Sequence, residues 1–126
     1  MDYRLELVFV PVTDVDRAKA FYVDRVGFHA DHDVRVSESL RFVQLTPPGS
    51  ACSIAFGEGL VDMTPGSVRG LQLVVDDADA ARDDLAGRGV AVSDVDEQAW
   101  GRFVYFSDPD GNSWSVQQIP GRISAG

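Results

Sequence analysis

Two short stretches of the sequence concentrate the side chains that could bind a metal ion. Asp108-Pro-Asp-Gly-Asn112 places carboxylates and an amide in one loop, and His29-Ala-Asp-His-Asp33 combines two imidazoles with two carboxylates. Carboxylate oxygens and imidazole nitrogens are common protein ligands of divalent cations. Both stretches are therefore candidate metal sites.

The first stretch also has the composition of a tight turn. Pro109 fixes φ near the value that a turn needs, and Gly111 accepts a positive φ. A calcium loop of the EF-hand kind that started at Asp108 would require glycine and glutamate where Ser113 and Ile119 stand. We therefore interpret these aspartates as turn-forming residues between the last two strands.

The second stretch is predicted to lie on a strand. Because successive strand side chains point to opposite faces, the spacing of His29 and His32 places the two imidazoles on opposite faces. A shared metal site would require a β-bulge, so we interpret both histidines as solvated strand residues.

The remaining reactive side chains form no catalytic set. Cys52 lacks an activating base in the sequence around it and is interpreted as a buried, inert thiol. Glu58 and Glu97 fall in segments predicted as a connector and a loop, where carboxylates are usually solvated. The sequence contains no Ser-His-Asp arrangement, phosphate-binding loop or dinucleotide fingerprint. No catalytic residue is therefore predicted.

An internal repeat defines the elements that position these residues. The segments that start at Leu7 and Gly70 align at an offset of 63 residues, and the turn glycines Gly49 and Gly111 align at an offset of 62. In each copy an alternating strand leads to an aspartate suited to cap a helix, then to a helix and three strands. The chain is thus predicted to be a duplicated βαβββ module.

The repeat predicts an α+β fold: two tandem βαβββ modules that form an open, cupped, mixed β-sheet with a helix outside each half. The strands are predicted at 5–12, 28–36, 40–46, 51–57, 71–75, 90–94, 102–107 and 113–119. Residues 1–126 are predicted to form one domain, with module one at about 5–57, a linker at about 58–69, module two at about 70–119 and a flexible tail at 120–126.

Charge and composition exclude several classes of partner. The formal net charge is -9, with 11 basic and 20 acidic residues. Nucleic acids and anionic membranes are bound chiefly by clustered Lys and Arg, so neither is a predicted partner. The single cysteine excludes an internal disulfide, and no apolar run approaches the roughly 20 residues of a membrane span. The N-terminus lacks the features of a signal peptide, so the protein is predicted to be cytoplasmic.

Strand alternation assigns the side chains to two sheet faces. The uniformly apolar set is predicted to face the helices: Val8, Val10, Val12, Leu71, Leu73, Val75, Trp114 and Val116. The opposite set mixes bulky apolar groups with small and amide groups: Leu7, Phe9, Pro11, Gly70, Gln72, Val74, Ser113, Ser115 and Gln117. Such a mixture suits a cleft for an organic molecule, with an ordinary core or dimer surface as the alternative. In the loop 94–103, Trp100 could stack on a planar ligand or pack against the domain edge.

The chain resembles the vicinal oxygen chelate superfamily, which includes glyoxalase I, extradiol dioxygenases, fosfomycin-resistance enzymes and bleomycin-resistance proteins. The resemblance rests on the two modules, Phe21-Tyr22, Val26-Gly27-Phe28 and the SDPDGN motif, and it covers about residues 5–119. It implies the fold given above and a homodimer that completes its clefts by pairing modules. It does not by itself imply one activity, because the superfamily hosts many chemistries on one scaffold.

Metal-dependent members of the superfamily carry His or Glu at four points of the first and last strands of the modules. By the resemblance, these points fall here on Leu7, Gly70, Ser53 and Ser115. None of these residues binds a divalent cation usefully. The resemblance therefore implies that the protein has neither a metal nor another cofactor.

The resulting hypothesis is a metal-independent protein that encloses a small organic ligand, aromatic or cationic in character, as bleomycin-resistance proteins do. The predicted ligand-binding residues are Leu7, Phe9, Gln72, Trp100, Ser115 and Gln117. The alternative is a metal-dependent lyase, isomerase or dioxygenase of the same superfamily. A metal-free enzyme that uses Gln72 or a serine to orient its substrate is a third possibility, and no placed general acid or base supports it.

Overall fold

A computed structural model describes residues 1–121 of the chain. The strands are β1 Leu7–Phe9, β2 His29–Ser37, β3 Leu40–Thr46, β4 Ser53–Glu58, β5 Leu71–Val74, β6 Asp96–Gln98, β7 Gly101–Ser107 and β8 Ser113–Gln118. The helices are α1 Val15–Ala20 and α2 Ala78–Gly87. Each half therefore has the predicted βαβββ order, while residues 122–126 of the predicted tail lie outside the described residues.

The strands form two four-stranded mixed sheets, in the orders β1-β4-β3-β2 and β5-β8-β7-β6. The β1–β4 and β5–β8 pairs are parallel and the other pairs are antiparallel. These open sheets and the two helices confirm the predicted α+β fold. The described chain divides into two compact units: a first unit of Met1–Val68 with Asp108–Asn112, and a second unit of Arg69–Ser107 with residues 113–121.

Each helix is preceded by a capping aspartate, as the repeat predicts: Asp14 before α1 and Asp77 before α2. A side-chain oxygen of Asp14 accepts a hydrogen bond from the Arg17 amide at 3.0 Å. Asp77 accepts one from the Ala80 amide at 3.1 Å. Because the first amides of a helix have no partner within it, these carboxylates stabilise the helix starts. No helix in the described part of the chain is long and apolar enough to cross a membrane.

The first helix widens before it ends. After α1 the chain continues as a π-helical turn over Phe21–Val26. The amides of Gly27 and Phe28 both donate to the Tyr22 carbonyl, at 2.9 and 2.8 Å. Gly27 has a φ of 93°, a conformation that glycine adopts at little cost, so the helix ends at Gly27.

Three residues of the predicted apolar face, Val10, Trp114 and Val116, are buried, and the other five are half-buried: Val8, Val12, Leu71, Leu73 and Val75. In the first unit Tyr22 is fully buried, with its ring centroid 6.0 Å from that of Phe56. In the second unit the stacked rings of Phe106 and Trp114 are 5.9 Å apart, and Val116 is buried beside them on the same strand face. Burial of such apolar side chains provides the main stabilisation of the fold.

The prediction of a strand at 90–94 is wrong. The Val90 amide donates back to the Leu85 carbonyl of α2 at 3.0 Å. The Tyr105 amide binds the Ser93 hydroxyl at 2.9 Å, so a side chain replaces one ladder bond. The strand at this edge is instead β6, which lies within the segment predicted as a loop. β1 is also shorter than predicted and covers only three residues.

The turn between β7 and β8 is formed as predicted, but its first and last residues are buried. Asp108 and Asn112 are 5% and 0% exposed. One Asp108 oxygen accepts the amides of Asp110 and Asn112 at 3.0 and 2.9 Å. The other accepts the Tyr22 hydroxyl and the Asn112 side-chain amide, both at 2.8 Å. Asp108 is therefore part of the buried structure of the first unit as well as a turn-forming residue.

An ion-pair cluster lies beside the first helix. The Arg41 guanidinium binds both Asp33 carboxylate oxygens, at 3.0 and 2.9 Å, and Lys19 binds Asp33 at 2.9 Å. The hydrogen bonds from Arg41 and then Lys19 hold the pKa of the Asp33 carboxyl well below its usual range. Because the folded state favours the ionised carboxylate, the cluster stabilises the fold wherever Asp33 is ionised.

We expect Asp33→Asn to lower the free energy of unfolding by about 1 kcal/mol at neutral pH. The depressed pKa makes this contribution complete above the ordinary Asp value of about 4, and progressively smaller as the pH falls below it. Urea unfolding of both proteins across this range measures the difference. The exposed Asp62→Asn serves as a control with an expected change below about 0.5 kcal/mol. A wild-type advantage that grew as the pH fell would contradict the assignment.

Candidate functional site

A depression of about 360 Å³ lies on the second unit, on the sheet face opposite the buried Phe106 and Trp114. Its lining residues are Gln72, Gln98, Trp100, Phe103, Tyr105, Ser115 and Gln117. Four of the six predicted ligand-binding residues are among them: Gln72, Trp100, Ser115 and Gln117. The structure therefore brings together, at one site, polar and aromatic side chains from four segments of the chain.

Strand register explains why these residues share one face. Gln72 of β5 lies opposite Ser115 of β8, and Tyr105 of β7 lies opposite the same serine. Gln117 lies opposite Phe103. Residues that pair directly across neighbouring strands point to the same side of a sheet, so alternation alone places this group together.

A chain of hydrogen bonds fixes the amide side chains of the depression. The Ser115 hydroxyl donates to the Gln72 carbonyl oxygen at 3.2 Å. The Gln72 amide nitrogen donates to Gln117 at 2.5 Å, and the Gln117 amide nitrogen donates to the Trp100 backbone carbonyl at 2.9 Å. Each amide nitrogen has two hydrogens and uses one of them in this chain. The second hydrogen of each can bind an acceptor atom of a ligand.

Aromatic side chains also line the depression. Trp100 is in the turn between β6 and β7 and is 63% exposed, so its indole does not pack into the core. The rings of Phe103 and Tyr105 are nearly parallel, with centroids 6.1 Å apart. Exposed or stacked rings of this kind favour contact with flat, apolar ligand surfaces.

The Tyr105 hydroxyl is held by an acidic partner. It donates to an Asp96 carboxylate oxygen at 2.7 Å. This hydrogen bond is the main cause that raises the pKa of Tyr105. The phenol therefore stays neutral near physiological pH and acts as a hydrogen-bonding group rather than as a base.

Gly101 allows the turn to approach β8 closely. It is buried with a φ of 154°, and a Cβ atom there would lie 2.7 Å from the Gln118 carbonyl oxygen and 2.9 Å from the Gln117 amide nitrogen. Any larger residue would displace Gln117 or the turn. Gly101 thus sets the position of Trp100 relative to the amide chain, a role that the sequence reasoning missed.

A second depression, of about 530 Å³, shares Tyr105 and Ser115 with the first. Its other lining residues are Gly70, Ala91, Phe106, Ser107, Ser113 and Trp114. Ser107 and Ser113 lie opposite each other, on the same face of β7 and β8 as Tyr105 and Ser115. The lining combines serine hydroxyls with aromatic rings and contains no charged side chain. The two depressions together extend the candidate site along the sheet.

Leu7 and Phe9, the other predicted ligand-binding residues, lie on β1 of the first unit and are half-buried. They are not among the residues that line either depression. Leu7 lies opposite Ser53 in the β1–β4 pair. The side chains of Leu7 and Phe9 therefore lie on the helix-free face of the first sheet, opposite residues of β4.

The four points at which the metal-dependent relatives carry ligands do not fit a divalent metal. Leu7 and Gly70 have no donor side chain, and Ser53 and Ser115 carry neutral hydroxyls. Ser115 lies opposite Gln72 and not opposite Gly70. Within residues 1–121, no group of three or more His, Cys, Asp or Glu side chains is placed to hold a metal ion.

The prediction that His29 and His32 point to opposite faces is wrong. His29 lies opposite Thr46 and His32 lies opposite Gln44, with a register shift between Ala30 and His32. Thr46 and Gln44 are two residues apart and share a face, so both histidines share it too. The extra residue is Asp31, which forms a β-bulge that alternation cannot foresee.

A sequence profile of the Glyoxalase/Bleomycin resistance protein/Dioxygenase superfamily matches residues 4–116. The chain belongs to this superfamily. The match covers both βαβββ repeats, and it confirms the resemblance inferred from the motifs and the repeat. No curated protein sequence matches the chain.

Solved structures of the Glyoxalase/Bleomycin resistance protein/Dioxygenase superfamily are similar to this chain. TnmS3, an antibiotic binding protein from Streptomyces sp. CB03234, is 41% identical with a TM-score of 0.84, over 94% of this chain and 97% of its own. A glyoxalase/bleomycin resistance protein from Streptomyces sp. CB03234 is 42% identical with a TM-score of 0.79, over 91% and 100% of the two chains. A superfamily member from Sphaerobacter thermophilus DSM 20745 is 31% identical with a TM-score of 0.80, over 92% and 97%.

Proposed function

We propose that the protein binds a small organic molecule without a metal ion, and that the ligand is held at the depression of the second unit. The observation that carries this proposal is an exposed Trp100 indole beside the fixed amide groups of Gln72 and Gln117. Apolar walls with a few oriented polar groups are typical of small-molecule sites. The 41% identity to TnmS3, an antibiotic binding protein, supports the same class of function.

The proposed ligand has a flat, aromatic part and at least one acceptor oxygen. Its ring stacks on the Trp100 indole, and the acceptor binds the second amide hydrogen of Gln72 or Gln117. The net charge of -9 favours ligands that also carry a positive charge, because the field of an acidic protein attracts cations. The depression offers no general base or nucleophile, so binding rather than turnover is the proposed activity.

A matched pair of amides tests the site. 2-Naphthamide has a flat ring and an acceptor oxygen, whereas decalin-2-carboxamide has the same amide on a saturated, puckered frame. We expect the aromatic amide to quench tryptophan fluorescence and to bind more tightly by calorimetry. Equal binding of the two compounds, or no binding by either and by a broader panel of aromatic amides, would count against the site.

Metal independence is tested separately. Elemental analysis of purified protein is expected to find no stoichiometric Ni, Zn, Fe or Mn, and ligand affinity is expected to be the same with and without a chelator. A stoichiometric metal that is required for binding or turnover would favour the alternative, a metal-dependent lyase or dioxygenase of the same superfamily.

We expect Gln117→Leu to weaken ligand binding by about tenfold, or about 1.4 kcal/mol. The leucine keeps the side-chain bulk but removes the link between Gln72 and the Trp100 carbonyl. Calorimetric titration with the tightest aromatic amide measures the loss. Gln98→Leu is the matched control, because Gln98 lines the same depression but binds only Asp96 in the described hydrogen bonds. Equal losses in the two variants would contradict the role of the amide chain.

The proposal includes a cytoplasmic homodimer. A reducing compartment fits the single cysteine, which lies in the first unit as a free, half-buried thiol. Light scattering coupled to gel filtration is expected to give twice the chain mass of 13.7 kDa. A monomeric mass at micromolar concentration would remove this part of the proposal without affecting ligand binding at the second unit.

A further inference from the structure

A directed chain of hydrogen bonds crosses the helix-free face of the first sheet. Thr46 contacts an Asp31 carboxylate oxygen, and the Thr46 and Ser53 hydroxyl oxygens are 2.6 Å apart. The Gln44 amide nitrogen lies 3.3 Å from the Ser53 hydroxyl. An ionised carboxylate only accepts, and each hydroxyl has one hydrogen. Thr46 therefore donates to Asp31, Ser53 donates to Thr46, and Gln44 donates to Ser53.

This chain fixes the carboxylate of Asp31 and uses only one of its oxygens. Ser53 is 5% exposed, so the hydrogen bonds at the centre of the chain are sheltered from water. The Asp31 side chain is 24% exposed, and its other oxygen is 3.9 Å from the nearest imidazole nitrogen of His29. The second oxygen is thus held in place and remains open on the sheet face.

The charge of Asp31 is not matched by a Lys or Arg side chain within residues 1–121. The nearby cations Lys19 and Arg41 are bound to Asp33, which points to the opposite, helix-bearing face. A partly buried carboxylate without a cationic partner is costly, and an added cation recovers part of that cost. The position therefore favours binding of a positive group.

The residues around Asp31 suit an organic cation better than a metal ion. Val34 of β2 lies opposite Phe42 of β3 on this face, so apolar side chains lie on the two strands that carry Asp31 and Thr46. The side chains hydrogen-bonded in series with Asp31 carry hydroxyl and amide groups rather than further acids. His29 and His32 share this face, but within residues 1–121 they complete no group of three side chains that could hold a metal ion. An ammonium group has three donors for such acceptors, and the carbon atoms attached to it can contact the apolar side chains.

We propose that Asp31 and its hydrogen-bonded chain form a binding site for the ammonium group of an organic amine in the first unit. The β-bulge places the Asp31 side chain on the helix-free face. The hydrogen-bonded hydroxyls of Thr46 and Ser53 orient its carboxylate. The site shares no residue with the depression on the second unit. It therefore stands or fails independently of the function proposed above.

Benzylamine and benzyl alcohol test the site, because they share a ring and differ in the ammonium group. Binding is followed by two-dimensional NMR at neutral pH, through the amide signals of β2 and β3. We expect benzylamine to bind the wild type, and Asp31→Asn to weaken it at least tenfold. Asp62→Asn, which removes the same charge from an exposed position, should leave the affinity within twofold. Equal losses in both variants would show that the effect comes from the overall surface charge, and they would overturn the proposal.

Two further variants keep the result interpretable if Asp31→Asn alters the fold. Thr46→Val retains the shape of the side chain but removes its hydroxyl, so it should weaken benzylamine binding about threefold, with benzyl alcohol binding unchanged. Ser50→Ala, which removes a hydroxyl from the exposed turn between β3 and β4, should leave the benzylamine shifts of β2 and β3 unchanged. Unchanged affinity in Thr46→Val, or an equal loss in Ser50→Ala, would contradict the assignment to Asp31.

Discussion

Asp108→Ala should lower the free energy of unfolding by about 4 kcal/mol, the largest stability effect that we expect from a single substitution. The carboxylate accepts two backbone amides, the Tyr22 hydroxyl and the Asn112 side chain while it is only 5% exposed. Alanine would leave these four donors without their acceptor in a buried region. Buried donors that lose their partners cost about 1–3 kcal/mol each, partly recovered by relaxation and water.

Urea unfolding of purified variants measures this effect. Tyr22→Phe removes only one of the four hydrogen bonds and should cost about 1 kcal/mol. Ser50→Ala is the matched turn control: Ser50 bonds Cys52 in the exposed turn between β3 and β4, and its loss should cost less than about 1 kcal/mol. An Asp108→Ala protein as stable as the Ser50→Ala protein would show that the buried bonds contribute little.

Trp100→Ala should weaken binding of an aromatic ligand by about 30-fold, or about 2 kcal/mol, while stability changes by less than about 0.5 kcal/mol. The indole is 63% exposed and its removal leaves no cavity in the core. Its backbone carbonyl still accepts the Gln117 amide after the substitution. The loss should therefore report on ligand contact rather than on folding.

Calorimetric titration with 2-naphthamide gives the affinity of each variant. Trp100→Phe keeps an aromatic ring and should lose only about threefold. Tyr3→Ala is the matched control, because Tyr3 is an aromatic residue that is 90% exposed in the first unit. Binding by Trp100→Ala at the wild-type affinity would mean that the indole does not touch the ligand.

The architecture could be predicted because the pattern of one βαβββ module occurs twice in the sequence. The two copies align with each other, and Asp14 and Asp77 cap the helices through side-chain bonds that depend only on local sequence. The polar face of the second sheet could also be predicted, since period-two alternation places Gln72, Ser115 and Gln117 together. That the whole chain forms a single domain stays a prediction.

Features that depend on long-range partners could not be predicted. Val90 and Val92 alternate as in a strand, and the Ser93 amide does donate to the Tyr105 carbonyl, but the Tyr105 amide donates to the Ser93 hydroxyl rather than to a backbone carbonyl, so the ladder is not completed. The bulge at Asp31 depends on how β2 fits β3, so the shared face of the histidines is invisible in the spacing alone. In each case a contact with a residue distant in sequence determines the local backbone structure.

The buried turn at Asp108–Asn112 also limits how the duplicated chain can be divided. Although β7 and β8 flank it in sequence, the turn belongs to the first unit, where the Asn112 side chain binds the Pro11 carbonyl and the Val68 amide. A polypeptide that contains only the first repeat therefore lacks the buried turn that completes the interior of the first unit. The two repeats are copies in sequence, but they are not separable modules, and gene fission between them would yield an incomplete first half.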